Sequence, residues 1–212
     1  MAQRAGRGTT ASLMALIVVA AVAGALLIAR GFADSAPPGA PLPGETFDVP
    51  PESVTDPFDP PPDMRENSVA VPSVDIDAAL VENDLDASGS LVIPEHVDQA
   101  TFWTGSAPIN ATRGAMLVAG HVDDRSRGEG ALFRLHDVQP GAAVFLDQAG
   151  LVTRWKVVRM ETVSKQALPD DLFRGGTGAR ELYLVTCGGE VVRDASGRNS
   201  YSDNVIVAAV PY

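Results

Sequence analysis

Glu-Leu-Tyr-Leu-Val-Thr-Cys-Gly-Gly, residues Glu181 to Gly189, is the stretch from which the rest of the chain can be read. Leu182, Leu184 and Thr186 fall on one side of an alternating run, and Tyr183, Val185 and Cys187 on the other, which predicts a strand. Gly188 and Gly189 then break it, so Cys187 is expected at the strand's last residue, beside a mobile opening. A thiol there suits a nucleophile, because the strand holds it rigidly and the glycines let a substrate backbone approach. The bland alternative is a small buried hydrophobe, since free cysteine is among the most buried residue types. Cys187 is the only cysteine in the 212 residues. That excludes an intrachain disulfide framework and leaves too few thiols for a cysteine zinc site; no metal is expected.

Around this stretch the strand signals dominate. Ser68–Val71, Leu91–Ile93, Ala115–His121, Ala143–Asp147, Val152–Arg159, Glu161–Ser164, Leu182–Cys187 and Asn204–Val210 are short β-rich runs separated by Gly, Pro, Asn and Asp. Helix signals are short, at Pro94–Gln99 and Gly130–Leu135. Asp75–Asp86 has an apolar periodicity (Ile76, Leu80, Leu85) that fits either a helical turn or a loop. Eight short strands in residues 68–212 predict a mostly β barrel or sandwich with short helices.

Three histidines could serve the thiol. His96 lies in a polar segment and is expected at the surface. His136 follows Phe133-Arg134-Leu135 in a helical turn, where a structural role is expected. His121 directly follows the apolar strand Ala115–Gly120 and opens an acidic loop, Val122-Asp123-Asp124-Arg125. It therefore occupies the same kind of place as Cys187, where an apolar strand meets a glycine and a loop. An imidazole there raises the thiolate fraction or accepts the thiol proton. An acyl-transfer reaction also needs a donor for the oxyanion of its tetrahedral intermediate. Arg193 and Arg198 follow the cysteine, and Arg198 is favoured because Gly197 precedes it and a strand follows.

The N-terminal part predicts export. Arg4 and Arg7 precede Ala11–Ala29, an uncharged span of 19 residues. That length just crosses a bilayer core, and the positive flank puts the N-terminus inside and the bulk of the chain outside. A cleaved signal peptide, with Ala33 and Ser35 as small residues before a cut, is the competing reading. A retained anchor is favoured because the apolar run is longer than a signal core needs. Residues 1–30 are thus expected to form a cytoplasmic tip and transmembrane helix. Residues 31–67 hold ten of the sixteen prolines and eight acids against one base, Arg65. Such a segment is expected to be an extended, solvated spacer. The formal net charge of −11 argues against a nucleic-acid partner.

Three runs in this order resemble the sortases: Ala119-Gly-His-Val-Asp123, Leu184-Val-Thr-Cys-Gly-Gly189 and Ser200-Tyr-Ser-Asp-Asn-Val-Ile-Val207. The Thr-Cys-Gly-Gly and Asp-Asn-Val-Ile-Val forms are most similar to the class F group of Gram-positive actinobacteria. The resemblance covers residues 68–212 and implies an eight-stranded β-barrel cysteine transpeptidase that needs no cofactor. Such enzymes cut a Leu-Pro-x-Thr-Gly sorting signal on secreted proteins between Thr and Gly, then pass the acyl group to an amine of a cell-wall precursor. On this resemblance Cys187 is the nucleophile and His121 its partner, Arg198 takes the family arginine's place, and Thr186 and Gly188 flank the substrate. Ser202 stands where some relatives have an arginine. Two other classes remain: another cysteine acyl transferase, and a non-catalytic surface-binding barrel. A papain-like enzyme puts Cys before His, the reverse of His121 and Cys187. An L,D-transpeptidase carries a Ser-His-Gly-Cys run, absent here.

Overall fold

Runs of strand-forming residues, several of them buried on both faces, build nearly all of this domain. The computed structural model describes residues 46–48, 60–61, 63–165, 167–193 and 199–212. In chain order the strands are β1 (Phe47–Asp48), β2 (Ser68–Val71), β3 (Ile76–Asn83), β4 (Gln99–Trp103), β5 (Ala115–Gly120), β6 (Asp123–Asp124), β7 (Gly128–Glu129), β8 (Ala143–Gln148), β9 (Leu151–Ser164), β10 (Glu181–Arg193) and β11 (Asn199–Pro211). One sheet runs β1-β9-β11-β10-β5-β4-β3-β2-β8, and β8 pairs back onto β9. Without the two-residue β1, eight strands close a ring, which leaves no long unpaired edge. Two neighbours, β10–β5 and β3–β4, are parallel; the other pairs in the ring are antiparallel.

The barrel is filled from its inner face, where Val69, Ile76, Met116, Val118, Leu184 and Val207 belong to one buried cluster. The outer face of β5, β10 and β11 is also covered. Leu117, Tyr183 and Ile206 pack there against Trp103 and Leu172, which lies in a 3-10 turn at Asp170–Phe173. Burial on both faces explains why Leu182, Tyr183 and Leu184 are all closed off from water, as in a central strand with an unbroken apolar run.

Several expectations need correction. The glycines do not end the nucleophile's strand. β10 continues to Arg193, and its register with β11 slips between Gly188 and Val191. Between those pairs, Gly189 and Glu190 of β10 stand against Ser202 alone in β11, which is a β-bulge. Gly189 sits there at φ +77°, and a Cβ at this position would collide with the Asp203 carboxylate and the Ser202 hydroxyl. Asp75–Asp86 is neither helix nor loop but contains β3, with Ile76 and Ala78 buried and Asp77 exposed between them. Pro94–Gln99 forms no helix and leads into β4. Leu91 makes only an isolated bridge to Leu85. The two runs Val152–Arg159 and Glu161–Ser164 are a single strand of 14 residues. Around Gly130–Leu135 the helical piece is a 3-10 turn at Phe133–Asp137.

The segment expected to be a solvated spacer is tied to the barrel at its C-terminal end, where Arg65 pairs with Asp77 and the Asn67 amide donates to Asp147, and also further upstream. Phe47 and Asp48 pair with Met160 and Arg159 of β9, and Phe47 packs against the inner cluster. Ala11–Ala29 lies outside the described residues, and no described helix is long and apolar enough to cross a membrane.

Candidate active site

The site follows from the register of β5 and β10. Their parallel ladder runs from Glu181–Ala115 to Val185–Ala119. One step further, the Thr186 hydroxyl donates to the Gly120 carbonyl at 2.9 Å. One step further along each strand lie His121, just past the end of β5, and Cys187, within β10. Thr186 points inward with Leu182 and Leu184 and is 3% exposed. Alternation therefore puts Cys187 on the outer face with Tyr183 and Val185. The cover of that face, Leu172 and Trp103, belongs to the cluster around Tyr183. Beyond it Cys187 is free and half-buried. It is a partly accessible position in the row that begins with buried Tyr183, not a core hydrophobe.

His121 is also half-buried. Its Nε2 lies 2.9 Å from the Pro94 carbonyl. A carbonyl only accepts, so Nε2 carries the hydrogen and donates; in the neutral ring Nδ1 then holds the lone pair. Pro94 thus fixes the tautomer and leaves Nδ1 as the nitrogen that can exchange a proton with the thiol. Among the described residues no hydrogen bond joins His121 to Cys187.

The loop after His121 is built to stay in place. The Leu132 and Gly130 amides donate to the His121 and Val122 carbonyls at 3.0 and 2.8 Å. A Cβ at Gly130 would collide with the His121 carbonyl, so the close approach requires glycine. β6 and β7 form a small hairpin in this loop. The Asp124 carboxylate accepts from the Ser126 hydroxyl, the Ser126 amide and the Arg127 amide at 2.6, 2.9 and 3.0 Å. The Ser126 hydroxyl bond, ahead of the amides, holds the Asp124 carboxyl below the usual range. The Arg127 guanidinium donates to the Glu95 carbonyl, next to Pro94.

Two residues that sequence reasoning passed over complete the surroundings. The Tyr201 hydroxyl donates to Asp123 at 2.7 Å, tying β11 to the loop of His121. Burial pushes the Tyr201 phenol well above its ordinary range, and the bond to Asp123, the Asp123 charge and the nearby Cys187 add to this. Asn204 pairs with Cys187 across β10 and β11. Nothing in the run Ser200–Val207 marked either residue for a role before the register was known.

The other expected site residues are placed as follows. Gly188 is buried and pairs with Asp203. Arg198 lies outside the described residues. Arg193 is exposed at the end of β10, opposite Asn199. His96 is exposed, and the His136 Nδ1 donates to the Phe133 carbonyl at 3.0 Å. Three clefts of about 500, 470 and 280 Å3 are lined by other parts of the surface, without Cys187 or His121. Among the described residues no cluster of His, Cys, Asp and Glu could hold a metal ion.

A closed eight-stranded barrel with a half-buried thiol in β10, and a half-buried imidazole directly after the parallel neighbour β5, suits thiol-dependent acyl transfer. Comparison with known families makes this specific: the sortase domain matches residues 69–212, and the chain belongs to the sortase family, whose members are cysteine transpeptidases. Solved structures agree on the fold. Sortase C2 of Group B Streptococcus pilus island 1 is 14% identical with a TM-score of 0.53, over 88% of this chain and 94% of that one. Sortase C-1 of Actinomyces oris is 14% identical with a TM-score of 0.52, over 68% and 72%. A lid mutant of sortase A from Corynebacterium diphtheriae is 16% identical with a TM-score of 0.51, over 68% of each chain. No curated protein matches the chain.

Proposed function

We propose that this chain is an extracytoplasmic transpeptidase of the class F kind, which cleaves a Leu-Pro-x-Thr-Gly-like sorting signal through a thioacyl intermediate on Cys187. The observation that supports the reading is the β5–β10 register, which runs to Val185–Ala119, two residues short of Cys187 and His121, with the one thiol of the chain half-buried. The class F assignment rests on the Thr186-Cys-Gly-Gly189 and Asp203-Asn-Val-Ile-Val207 forms.

His121 Nδ1 takes the thiol proton, giving thiolate and imidazolium. The thiolate attacks the threonine carbonyl carbon of the Thr–Gly bond; the C–S bond forms and the carbonyl π pair moves onto oxygen. The oxyanion collapses, the C–N bond breaks, and the glycine amine leaves with the proton from His121. The acceptor, an amine of a cell-wall precursor, then attacks the thioester. Its proton passes to His121, the C–S bond breaks and the thiolate returns. In this reading Arg198 donates to the oxyanion. Thr186 braces the nucleophile's strand through Gly120, and Gly188 keeps the space beside the sulfur open to the substrate backbone. Ala11–Ala29 anchors the chain, with residues 68–212 outside the membrane.

The test is mass spectrometry of the full chain after incubation with a Leu-Pro-x-Thr-Gly peptide. The expected result is an acyl group on Cys187 and its transfer to an added amine, with both lost in Cys187→Ala. Full cleavage by Cys187→Ala would refute the reading, and a wild-type thiol that resists both peptide and alkylating agent would favour a non-catalytic barrel.

A further inference from the structure

Asn204 lies directly across the β10–β11 pair from Cys187. Partners in an antiparallel ladder share a face, with Cβ atoms about 4.5–5.5 Å apart. Asn204 has the same parity as Ile206 and Ala208, which belong to the outer cluster. On its other side it pairs with Val163 of β9, which offers no polar group. The outer face therefore carries a row of Cys187, Asn204 and Val163, and the segment after β5, which holds His121, adjoins the thiol's other side.

The Asn204 side chain is unspent. It is half-buried and makes no side-chain hydrogen bond among the described residues. Elsewhere the barrel uses its closed-off polar side chains. Ser68 donates to the Arg65 carbonyl, Thr101 to the Val92 carbonyl and Thr186 to the Gly120 carbonyl; Asp147 accepts from the amides of Asn67 and Gly150. The neighbouring Asp203 carboxylate accepts from Ser202. A half-buried primary amide with free donors beside a nucleophile is the kind of group that oxyanion stabilisation uses.

We infer that the Asn204 amide donates a hydrogen bond to the carbonyl oxygen of the acyl group attacked by Cys187, acting as an oxyanion donor on the strand that faces the nucleophile. This rests on the transpeptidase reading above. When Sγ bonds to the carbonyl carbon, the oxygen lies one bond further out, within reach of an amide that itself ends two bonds beyond its Cβ. The negative charge that arrives on oxygen in each tetrahedral intermediate is then met by Asn204 Nδ2–H. The amide neither gains nor loses a proton, so it serves acylation and aminolysis alike.

The experiment compares two rates in the full chain: cleavage of a Leu-Pro-x-Thr-Gly peptide, and alkylation of Cys187 by iodoacetamide. Alkylation displaces iodide at carbon and makes no oxyanion, so it reports the thiolate alone. Asn204→Ala is expected to lower kcat and kcat/KM together by about 100-fold or more, with KM little changed and alkylation within about twofold of wild type. Asn204→Asp, which puts a carboxylate where charge develops, is expected to fall at least as far, and its near-identical shape guards against a folding defect. Wild-type kcat in Asn204→Ala overturns the inference. So does a parallel fall in alkylation and cleavage, which would place Asn204 in support of the thiol or the fold. A wild-type chain that alkylates but never forms an acyl-enzyme overturns the transpeptidase reading itself, and this inference with it.

Discussion

Replacing Thr186 by valine tests whether the site is held from beneath. Thr186 is 3% exposed, and its hydroxyl donates to the Gly120 carbonyl at 2.9 Å. Valine keeps the branched shape and removes the donor, leaving a carbonyl short of a partner in a closed interior. That loss costs about 1–3 kcal/mol, and the added methyl returns up to ~0.8 kcal/mol through burial. The net expectation is a loss of about 1–2 kcal/mol, or ~3–8 °C in Tm for a domain of this size. The same bond is the last tie between β5 and β10 before His121 and Cys187, so the geometry of the pair should loosen. Misplacement by about 1 Å can cost 100-fold in rate, so kcat should fall by about 10- to 100-fold. Urea unfolding and peptide cleavage, measured together on Thr186→Val and Thr186→Ser, make the comparison. Serine retains the donor and should keep turnover near wild type, while losing about 1 kcal/mol for its missing methyl. A valine variant as stable and as active as wild type would show that the Thr186–Gly120 bond supports neither fold nor site.

Further outcomes follow from other contacts. His121→Ala should reduce kcat/KM by at least 100-fold while His96→Ala and His136→Ala stay near wild type; equal losses at all three would point to stability instead. Arg198→Ala should reduce kcat/KM by about 100-fold or more, with Arg198→Lys recovering only part because lysine lacks the planar fork and Arg193→Ala changing little; damage from Arg193→Ala alone would move the role there. Gly189→Ala should destabilise by more than the ~1 kcal/mol of an ordinary left-handed alanine, since its methyl meets Asp203 and Ser202; an unchanged urea midpoint would mean the bulge relaxes. The Tyr201 phenol is held protonated by the fold, so its contribution to stability is complete below the ordinary tyrosine range near pH 10 and is lost as pH rises through the raised value. Tyr201→Phe should therefore flatten the alkaline limb of a stability profile, and an identical limb in both proteins would rule the bond to Asp123 out as its cause.

Where side-chain pattern and structure share a cause, the sequence was informative. The apolar run Ala115–Gly120 and the stretch Leu182–Cys187 are strands because both faces of the barrel wall are buried there, with His121 directly after β5 and Cys187 within β10. The expected number of strands agrees with the ring of eight, but by compensation. β3 and β4 were not foreseen, while Leu91–Ile93 forms no strand and β9 was split in two. β3 was obscured by the exposed Asp77 and Glu82, which imitate a loop although Ile76 and Ala78 keep the alternation at its start. The end of β10 was misjudged because paired glycines signal a break, whereas here Gly189 supplies the positive φ of a bulge and pairing resumes at Val191. Asn204 and Tyr201 were invisible for a different reason. Their proximity to Cys187 and Asp123 depends on long-range register, which no local pattern encodes.

The small strand β1 bears on where this chain can be cut. β9 is longer than β8, which pairs with it only through Lys156 on that side. Phe47 and Asp48 occupy the same side further along, at Met160 and Arg159. A polypeptide trimmed to begin at Ser68 would retain every strand of the ring yet lose this patch, baring main-chain donors and acceptors on β9 and the site that holds Phe47. Exposed strand edges recruit strands from other molecules. The shortened protein should therefore self-associate more readily than one beginning ahead of Phe47, whatever becomes of its catalytic groups.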